Sequence, residues 1–258
     1  MIGVFDSGLG GLTALRHLRT IAPETAYVYF GDTGRVPYGT RSQDTILRYA
    51  LEDLQLILRF SPDAVLVACG TVSANALHVL QEVSPVPVLG VIVPAAQAAV
   101  HATRNGRVGV LGTPATIRTH AYRRALLQLA PCLVVEEVAC PLFVPMVESG
   151  MTDGGDPIVS AICARYLEPL KALDVDTLIL GCTHYPLLAD AIARMLPRVA
   201  LIDPGAEATD LLLPYLHPEK HPLQQYLVSD DAKRFSASAA LFLGVDIGGM
   251  VHQIEMKG

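Results

Sequence analysis

The chain has 258 residues, 51% of them hydrophobic and 17% charged, a length that suits one to two domains and buries a core without disulfide staples. Its 19 basic and 25 acidic residues give a formal net charge of −6, which argues against a broad nucleic-acid surface, because such surfaces cluster Lys and Arg. No apolar run spans a bilayer: the strongest, Pro85 to Val100, is broken by Pro87, Pro94 and Gln97, and Asp6 interrupts what would be the apolar stretch of a secretory signal.

Ile2-Gly3-Val4-Phe5 reads as a short strand, ended by Asp6-Ser7-Gly8-Leu9-Gly10-Gly11. Leu12, Leu15, Leu18 and Ile21 then recur at helical spacing. Tyr27 to Phe30 is a second strand, and Gly31 to Ser42, polar and containing Pro37, is a loop. A helix is predicted from Ile46 to Phe60. A strand buried on both faces follows from Ala64 to Ala68, then a helix from Ser73 to Val83. This β-then-α rhythm implies a parallel sheet flanked by helices.

The rhythm restarts in the middle of the chain. Arg107 to Gly112 resembles the opening strand, and Thr113-Pro114-Ala115-Thr116 leads into a helix running through Leu129, with Pro114 suited to its first turn. Thr177 to Gly181 matches the strand at Ala64 to Ala68, and each of these two strands is followed by a cysteine with Thr at or next to the following position: Cys69-Gly70-Thr71 and Cys182-Thr183. An internal duplication accounts for the match. Ordinary α/β repetition is the competing account. The expected architecture is α/β, with two pseudo-symmetric domains, each a mostly parallel sheet, and a site between them. Residues 1–93 plus 207–258 form the first domain and 94–206 the second, with the tail strand at Tyr226 and its helix from Asp231 to Leu243 returning to the first.

Five cysteines at irregular spacing read as free thiols of a reduced cytoplasmic protein. Cys69 and Cys182 each sit between a strand and a helix, where a parallel sheet carries its ligand crevice and where a helix start favours thiolate. Cys132, Cys140 and Cys163 lack that context and read as inert core residues. Two thiols facing one crevice suit inversion at carbon: one takes a proton from one face while the other returns one to the opposite face. A disulfide between them is the rival, disfavoured in a reducing compartment.

His184, two residues after Cys182, is placed to exchange a proton with that thiol. A Cys-x-His zinc site competes, but no Cys-x-x-Cys or His-x-x-x-His pair accompanies it, so no metal is expected. The other seven histidines read as structural. Asp6 is either an acid–base group or a helix cap, and Ser7 beside it is a hydroxyl donor. The glycine run from Gly8 to Gly11 lacks the Gly-Lys-Ser/Thr ending and the dinucleotide spacing, so it is a weak phosphate signal. None of Lys171, Lys220, Lys233 and Lys257 follows a strand in a motif setting, so a pyridoxal Schiff base is unsupported and no cofactor is expected.

Taken together, Phe5-Asp6-Ser7-Gly8-Leu9-Gly10-Gly11, Gly31-Asp32-Thr33, Val36-Pro37-Tyr38-Gly39, Ala68-Cys69 with Thr71, Cys140-Pro141-Leu142-Phe143-Val144-Pro145 with Glu148, and Gly181-Cys182-Thr183-His184-Tyr185-Pro186-Leu187-Leu188 resemble the bacterial glutamate racemases of the aspartate/glutamate racemase family. The motifs occur in the family's order and span most of the chain. The resemblance implies a cofactor-independent racemase that interconverts L- and D-glutamate and supplies D-glutamate for peptidoglycan. It implies Cys69 and Cys182 as the acid–base pair, Asp6 assisting near Cys69, His184 near Cys182, and Glu148 at the site. Ser7, Pro37, Tyr38, Gly39, Thr71 and Thr183 match positions that hold the substrate, and Thr116 a further contact.

One residue departs from the pattern. The family carries Asn directly after the first cysteine, where this chain has Gly70. A missing amide costs about 1–3 kcal/mol of binding if its partner stays unpaired, and a water can fill such a gap. Weakened glutamate binding, altered specificity, or an engineered or natural variant with reduced activity is the expectation. An aspartate racemase, a decarboxylase or isomerase of the same superfamily, and a non-catalytic small-molecule binder stay open as alternatives. The partners expected are the small-molecule substrate and, through apolar helices, a second copy in a homodimer. Neither nucleic acid nor membrane is expected.

Overall fold

A computed structural model describes residues 1–220 and 222–255. His221 and Lys257, neither expected to carry chemistry, lie outside the described residues. The chain builds β1 (Ile2–Asp6), α1 (Leu12–Ile21), β2 (Tyr27–Gly31), α2 (Gln43–Leu58), β3 (Ala64–Val67), α3 (Gly70–Asn75), α4 (Leu77–Val83) and β4 (Val88–Gly90). It continues through α5 (Ile92–Ala102), β5 (Arg107–Gly112), α6 (Pro114–Thr119), α7 (Ala121–Leu129), β6 (Val134–Ala139), α8 (Phe143–Glu148), α9 (Pro157–Ala172), β7 (Thr177–Leu180), α10 (Ala189–Met195) and β8 (Ala200–Ile202). It closes with α11 (Pro204–Asp210), β9 (Gln224–Val228), α12 (Ala232–Leu243) and β10 (Val251–Gln253).

These strands form two sheets, ordered β10-β9-β2-β1-β3-β4 and β6-β5-β7-β8, with every strand pair parallel. In the first, Ile2 of β1 sits opposite Tyr27 of β2 and Ala64 of β3. In the second, Val108 of β5 sits opposite Val135 of β6 and Thr177 of β7. The order 2-1-3-4 thus recurs as 6-5-7-8, and the two strand matches seen in the sequence, β1 with β5 and β3 with β7, occupy equivalent places. The tail strand β9 joins the first sheet beside β2, with Tyr29 opposite Tyr226.

Side chains alternate across the first sheet, as strand pleating requires. Ile2 and Val4 enter a core that runs on through Leu66, Leu111, Phe143 and Tyr185 to Leu180 of the second sheet. Phe5 joins Ile46, Leu54 and Ile57 of α2 on the opposite face. The hydrophobic cluster is therefore continuous between the sheets, and the carboxyl ends of β1, β3, β5 and β7 meet at its edge.

Two predicted helices are each divided. The segment expected as one helix from Ser73 to Val83 starts earlier, at Gly70, and breaks at Ala76 (φ −131°). There Asn75 turns its Nδ2 back onto the Thr71 carbonyl at 2.8 Å, a local bond that competes with helix continuation. The helix expected through Leu129 breaks at His120, which is left-handed (φ 51°). Thr119 Oγ1 takes the Ala121 N–H at 3.2 Å and gives its own proton to the Thr116 carbonyl at 2.7 Å, so one side chain caps both ends of the break. The loop expected from Gly31 to Ser42 contains two short 3₁₀ turns, Thr33–Arg35 and Tyr38–Thr40. Cys132, expected in the core, is exposed. No helix among the described residues is long and apolar enough to cross a membrane.

Candidate active site

A cavity of about 340 Å³ opens where the strand ends of the two sheets converge. Cys69, two residues past the end of β3, and Cys182, two residues past the end of β7, both line it, as do Ser7, Thr71, Thr183 and His184. Glu148, Pro37, Tyr38, Gly39 and Gly70 complete the set of expected residues on its wall. Asp6 and Thr116 stand one layer behind. The structure therefore gathers every expected site residue into one place, eleven residues on the cavity surface and two behind it.

Each thiol has its own polar company. Cys69 is buried, and its Sγ donates to Ser7 Oγ at 3.5 Å. Cys182 is partly buried, with Sγ 3.9 Å from His184 Nδ1. The other ring nitrogen of His184 lies 3.0 Å from Glu148 Oε1, which makes a thiol–imidazole–carboxylate line. Aromatic edges hold that line in place. Phe143, opening α8, packs edge-on against Tyr185 at 5.1 Å, and Tyr185 Oη donates to the Cys140 carbonyl at 3.0 Å. Phe242 of α12 meets the His184 ring edge-on at 5.2 Å, so the tail helix supports a residue of the second sheet.

Asp6 ends β1 with a fully buried side chain. Its carboxylate accepts the Gly8 N–H at 2.9 Å and the Thr183 hydroxyl at 3.4 Å, which joins the two strand ends. Burial raises its pKa. The electrostatic influence of the nearby His184 ring, the Gly8 and Gly11 amides and the Thr183 hydroxyl oppose that rise without cancelling it.

The glycine run is explained by close approach rather than by phosphate. A Cβ on Gly10 would sit 2.0 Å from Thr183 Oγ1 and 2.6 Å from His184 Nδ1, so only glycine lets the turn after β1 pass beside the turn after β7. Thr13, the second residue of α1, uses the proximity: its Oγ1 donates to the Gly10 carbonyl at 2.9 Å and reaches the Thr183 carbonyl at 3.1 Å.

The thiols depart from the sequence expectation in one respect. Placement at helix starts predicts lowered pKa values, yet burial pushes Cys69 up to about 11, with Asp6 adding to the rise and the Ser7 hydroxyl and backbone amides opposing it. Cys182 is raised well above the ordinary thiol range, again by burial first; the His184 N–H opposes, while Cys69, Asp6 and Glu148 add negative field. Desolvation of a charged sulfur outweighs the partial charge of a short helix, because α3 has only six residues and no helix follows Cys182 directly.

Gly70 also differs from expectation. A Cβ there would stand 2.6 Å from the Gly181 carbonyl oxygen, so backbone fills the direction a side chain would take. At this point the segments that carry Cys69 and Cys182 touch main chain to main chain. Tyr38 puts its ring on the cavity wall but turns its hydroxyl away, onto Asp32 and Asp53. Thr71, Thr113 and Thr116 share a triangle of hydroxyls at 3.0, 3.4 and 3.0 Å that bridges α3 and α6.

Thr113 and Cys140 line the cavity as well, and sequence reasoning missed both. Thr113 carried a signal, since it follows β5 just as Ser7 follows β1. Cys140 carried one in its motif with Pro141, but it was expected to be inert.

The fold and site define an α/β protein with two equivalent parallel sheets and a cleft that receives one thiol from each. The chain belongs to the Asp/Glu/Hydantoin racemase family, whose model matches residues 13–212. As a member, it is an amino-acid racemase. It is 42% identical over 268 aligned residues to the glutamate racemase of Geobacter metallireducens, covering 99% of this chain and 97% of that one. Among solved structures it resembles the glutamate racemase of Francisella tularensis in complex with D-glutamate (TM-score 0.92, 34% identity, 99% and 97% of the two chains). It also resembles a glutamate racemase isoform from Bacillus anthracis (TM-score 0.93, 35% identity, 99% and 97% coverage).

Proposed function

We propose that this racemase interconverts L- and D-glutamate without a cofactor by two-base proton transfer between Cys69 and Cys182. The single observation that carries the reading is the placement of both thiols, one from each sheet, on the wall of one cavity. Similarity to glutamate racemases over nearly the whole chain supports glutamate as the substrate.

In either direction, one sulfur enters as thiolate and takes the proton from Cα, leaving a planar carbanion conjugated with the substrate carboxylate. The opposite thiol then gives its proton to the other face. One S–H bond forms and one breaks, so the two sulfurs exchange states and no external acid or base is consumed. Because burial favours the protonated form of both thiols, each needs a local acceptor. His184, steadied by Glu148, serves Cys182. Asp6, made more basic by its own burial, serves Cys69. The substrate ammonium group adds positive charge that favours the thiolate.

Ser7, Thr71 and Thr183, with the main-chain N–H groups of Tyr38, Gly39 and Gly70, supply hydroxyl and amide contacts to the two carboxylates, Pro37 shapes the wall beside them, and Thr116 orients Thr71 from behind. Residues 1–93 with 207–258, and 94–206, act as the two domains that meet at the cleft. D-glutamate made in the cytoplasm for peptidoglycan is the physiological product on this reading.

The test is deuterium exchange at Cα of glutamate in heavy water together with polarimetry. Exchange with loss of optical activity supports the proposal. Binding without exchange would make the protein a non-catalytic binder, and exchange on aspartate but not glutamate would reassign the substrate.

A further inference from the structure

The loop between β2 and α2 carries Pro37, Tyr38 and Gly39 to the cavity and rests on a buried cluster of charge behind it. Arg35 is the hub. Its Nε donates to Asp32 Oδ2 at 2.5 Å, its Nη2 to Asp53 Oδ1 at 2.8 Å, and its Nη1 to Glu52. The guanidinium lies 4.2 Å from the centre of the Tyr49 ring, which in turn leans on Tyr38 with centroids 5.4 Å apart. Arg48 approaches the same ring at 5.2 Å. The side chains of Asp32 and Asp53 have no exposure at all. One guanidinium thus faces three carboxylates, two of them sealed from water.

Hydrogen counting shows how the excess negative charge is relieved. Tyr38 Oη has one hydrogen but contacts two carboxylates, Asp32 Oδ2 and, at 3.1 Å, Asp53 Oδ2. Asp32 is the better-supplied anion: Arg35 Nε donates to it, and Ser229 Oγ donates to its Oδ1 at 2.7 Å. Apart from that hydroxyl contact, Asp53 receives only Arg35 Nη2 among the described residues. The tyrosine proton therefore belongs to Asp32, and the contact to Asp53 needs a hydrogen from Asp53 itself.

We propose that Asp53 is a neutral acid that donates its proton to Tyr38 Oη, and that the chain Asp53–Tyr38–Asp32–Arg35 positions the Pro37–Gly39 wall against the substrate. The positioning half rests on the reading of the cleft as the glutamate site. Burial and the negative neighbour Asp32 hold the Asp53 carboxyl well above the usual carboxylate range, against the pull of Arg35, which agrees with the hydrogen count. Ser229 joins the chain to the start of α12, because the Gly34 N–H donates to the same Ser229 Oγ at 2.8 Å. The loop is thus fastened at its first turn to β9's end and at its second to α2.

Two measurements test this. With carbon-13-labelled aspartate, the Asp53 carboxyl resonance, assigned by its loss in Asp53→Asn, is expected at the protonated position throughout the neutral range. A resonance at the ionised position would overturn the proton assignment. Asp32→Asn is expected to raise KM for glutamate about tenfold while kcat falls much less, because the change loosens a binding wall and leaves the thiols in place. Should Asp32→Asn fail to fold, Ser229→Ala gives a smaller KM rise in the same sense. An unchanged KM, or a kcat loss as large as the KM rise, overturns the positioning role. If the wild-type protein does not racemise glutamate, the positioning role falls with that function, while the carboxyl resonance still decides the state of Asp53.

Discussion

At the scale of single residues, the cleft is governed by desolvation. Cys69 reaches about 11 because its sulfur is buried and faces Asp6, and Cys182 is raised well above the ordinary thiol range by its own burial. Because the local acceptors keep the thiol proton inside the enzyme, kcat/KM, which reports the free enzyme, is expected to stay level between neutral and mildly alkaline pH, below the Cys69 value of about 11. A tenfold rise per pH unit over that range would mean that the proton leaves to solvent before catalysis and would count against the local acceptors. Cys69→Ser and Cys182→Ser each lower kcat by about 10²–10⁴-fold, since a hydroxyl is a much poorer base, while thermal melts stay close to wild type.

Asp6 carries a linked stability effect with a definite sign. Its pKa is higher in the folded chain than in the unfolded one, so its favourable contribution is complete below the unfolded value and is lost as pH rises through the folded value. At neutral pH the buried charge is a burden. Asp6→Asn, which can still accept the Gly8 N–H, is therefore expected to raise Tm at neutral pH, with the gain shrinking as acid is added, and to lower racemase activity. A lower Tm at neutral pH would contradict this account.

At the scale of elements, the site is made by turns rather than by helices. The segments after β1, β3, β5 and β7 each deliver a polar or sulfur atom to the cavity, because parallel strands present their carboxyl ends on one edge. Gly70 and Gly181 fix how near two of those segments approach. Gly70→Ala must displace the Gly181 carbonyl, which is main chain and does not swing aside as a side chain would. It is expected to cost about 1–3 kcal/mol of stability and to reduce kcat by moving Cys69 relative to Cys182. Denaturant midpoints and steady-state kinetics check both. Gly70→Asn carries the same collision, so a side-chain amide at this position does not fit this chain unless the two segments move apart.

The helix breaks at Ala76 and His120 teach a related lesson. Each segment has an unbroken helical pattern of apolar residues, and each break depends on a short polar side chain, Asn75 or Thr119, that bonds back to the main chain. Periodicity reports which face is buried and is blind to such competition. Strand β6 escaped notice for a different reason. Glu136 and Glu137 interrupt its apolar run, and Glu137 finds partners for Oε2 only in residues distant along the chain, Arg123 at 3.2 Å and His120 at 2.6 Å, while its buried Oε1 has none among the described residues.

At the scale of the whole molecule, the two sheets are held together around the cavity by polar bridges. Asp6 with Thr183, Thr13 with Thr183, the triangle of Thr71, Thr113 and Thr116, and Arg118 with the Arg41 carbonyl at 3.1 Å surround the site. Such an arrangement couples ligand binding to stability, because a ligand that touches both sheets binds only the folded, assembled cleft. Saturating glutamate at about 100 times Kd should stabilise the protein by about 2.7 kcal/mol, visible as a rise in Tm, and Cys182→Ser should keep much of that rise while losing inversion. No ligand-induced shift in either protein would argue against a glutamate site.

By itself the sequence determined the alternation of strands and helices, the duplicated pattern, and the two cysteines that end equivalent strands. These are local properties, set by hydrophobic period and by residue type at strand ends. The tertiary structure decided what depends on atoms far apart in the chain. It buried both thiols deeply enough to reverse their expected pKa shift. It closed Gly70 against Gly181, set α12 against His184, and turned the Tyr38 hydroxyl away from the cavity onto Asp32 and Asp53. Desolvation, close approach and hydrogen-bond satisfaction are sums over neighbours in space, and spacing along the chain does not contain them.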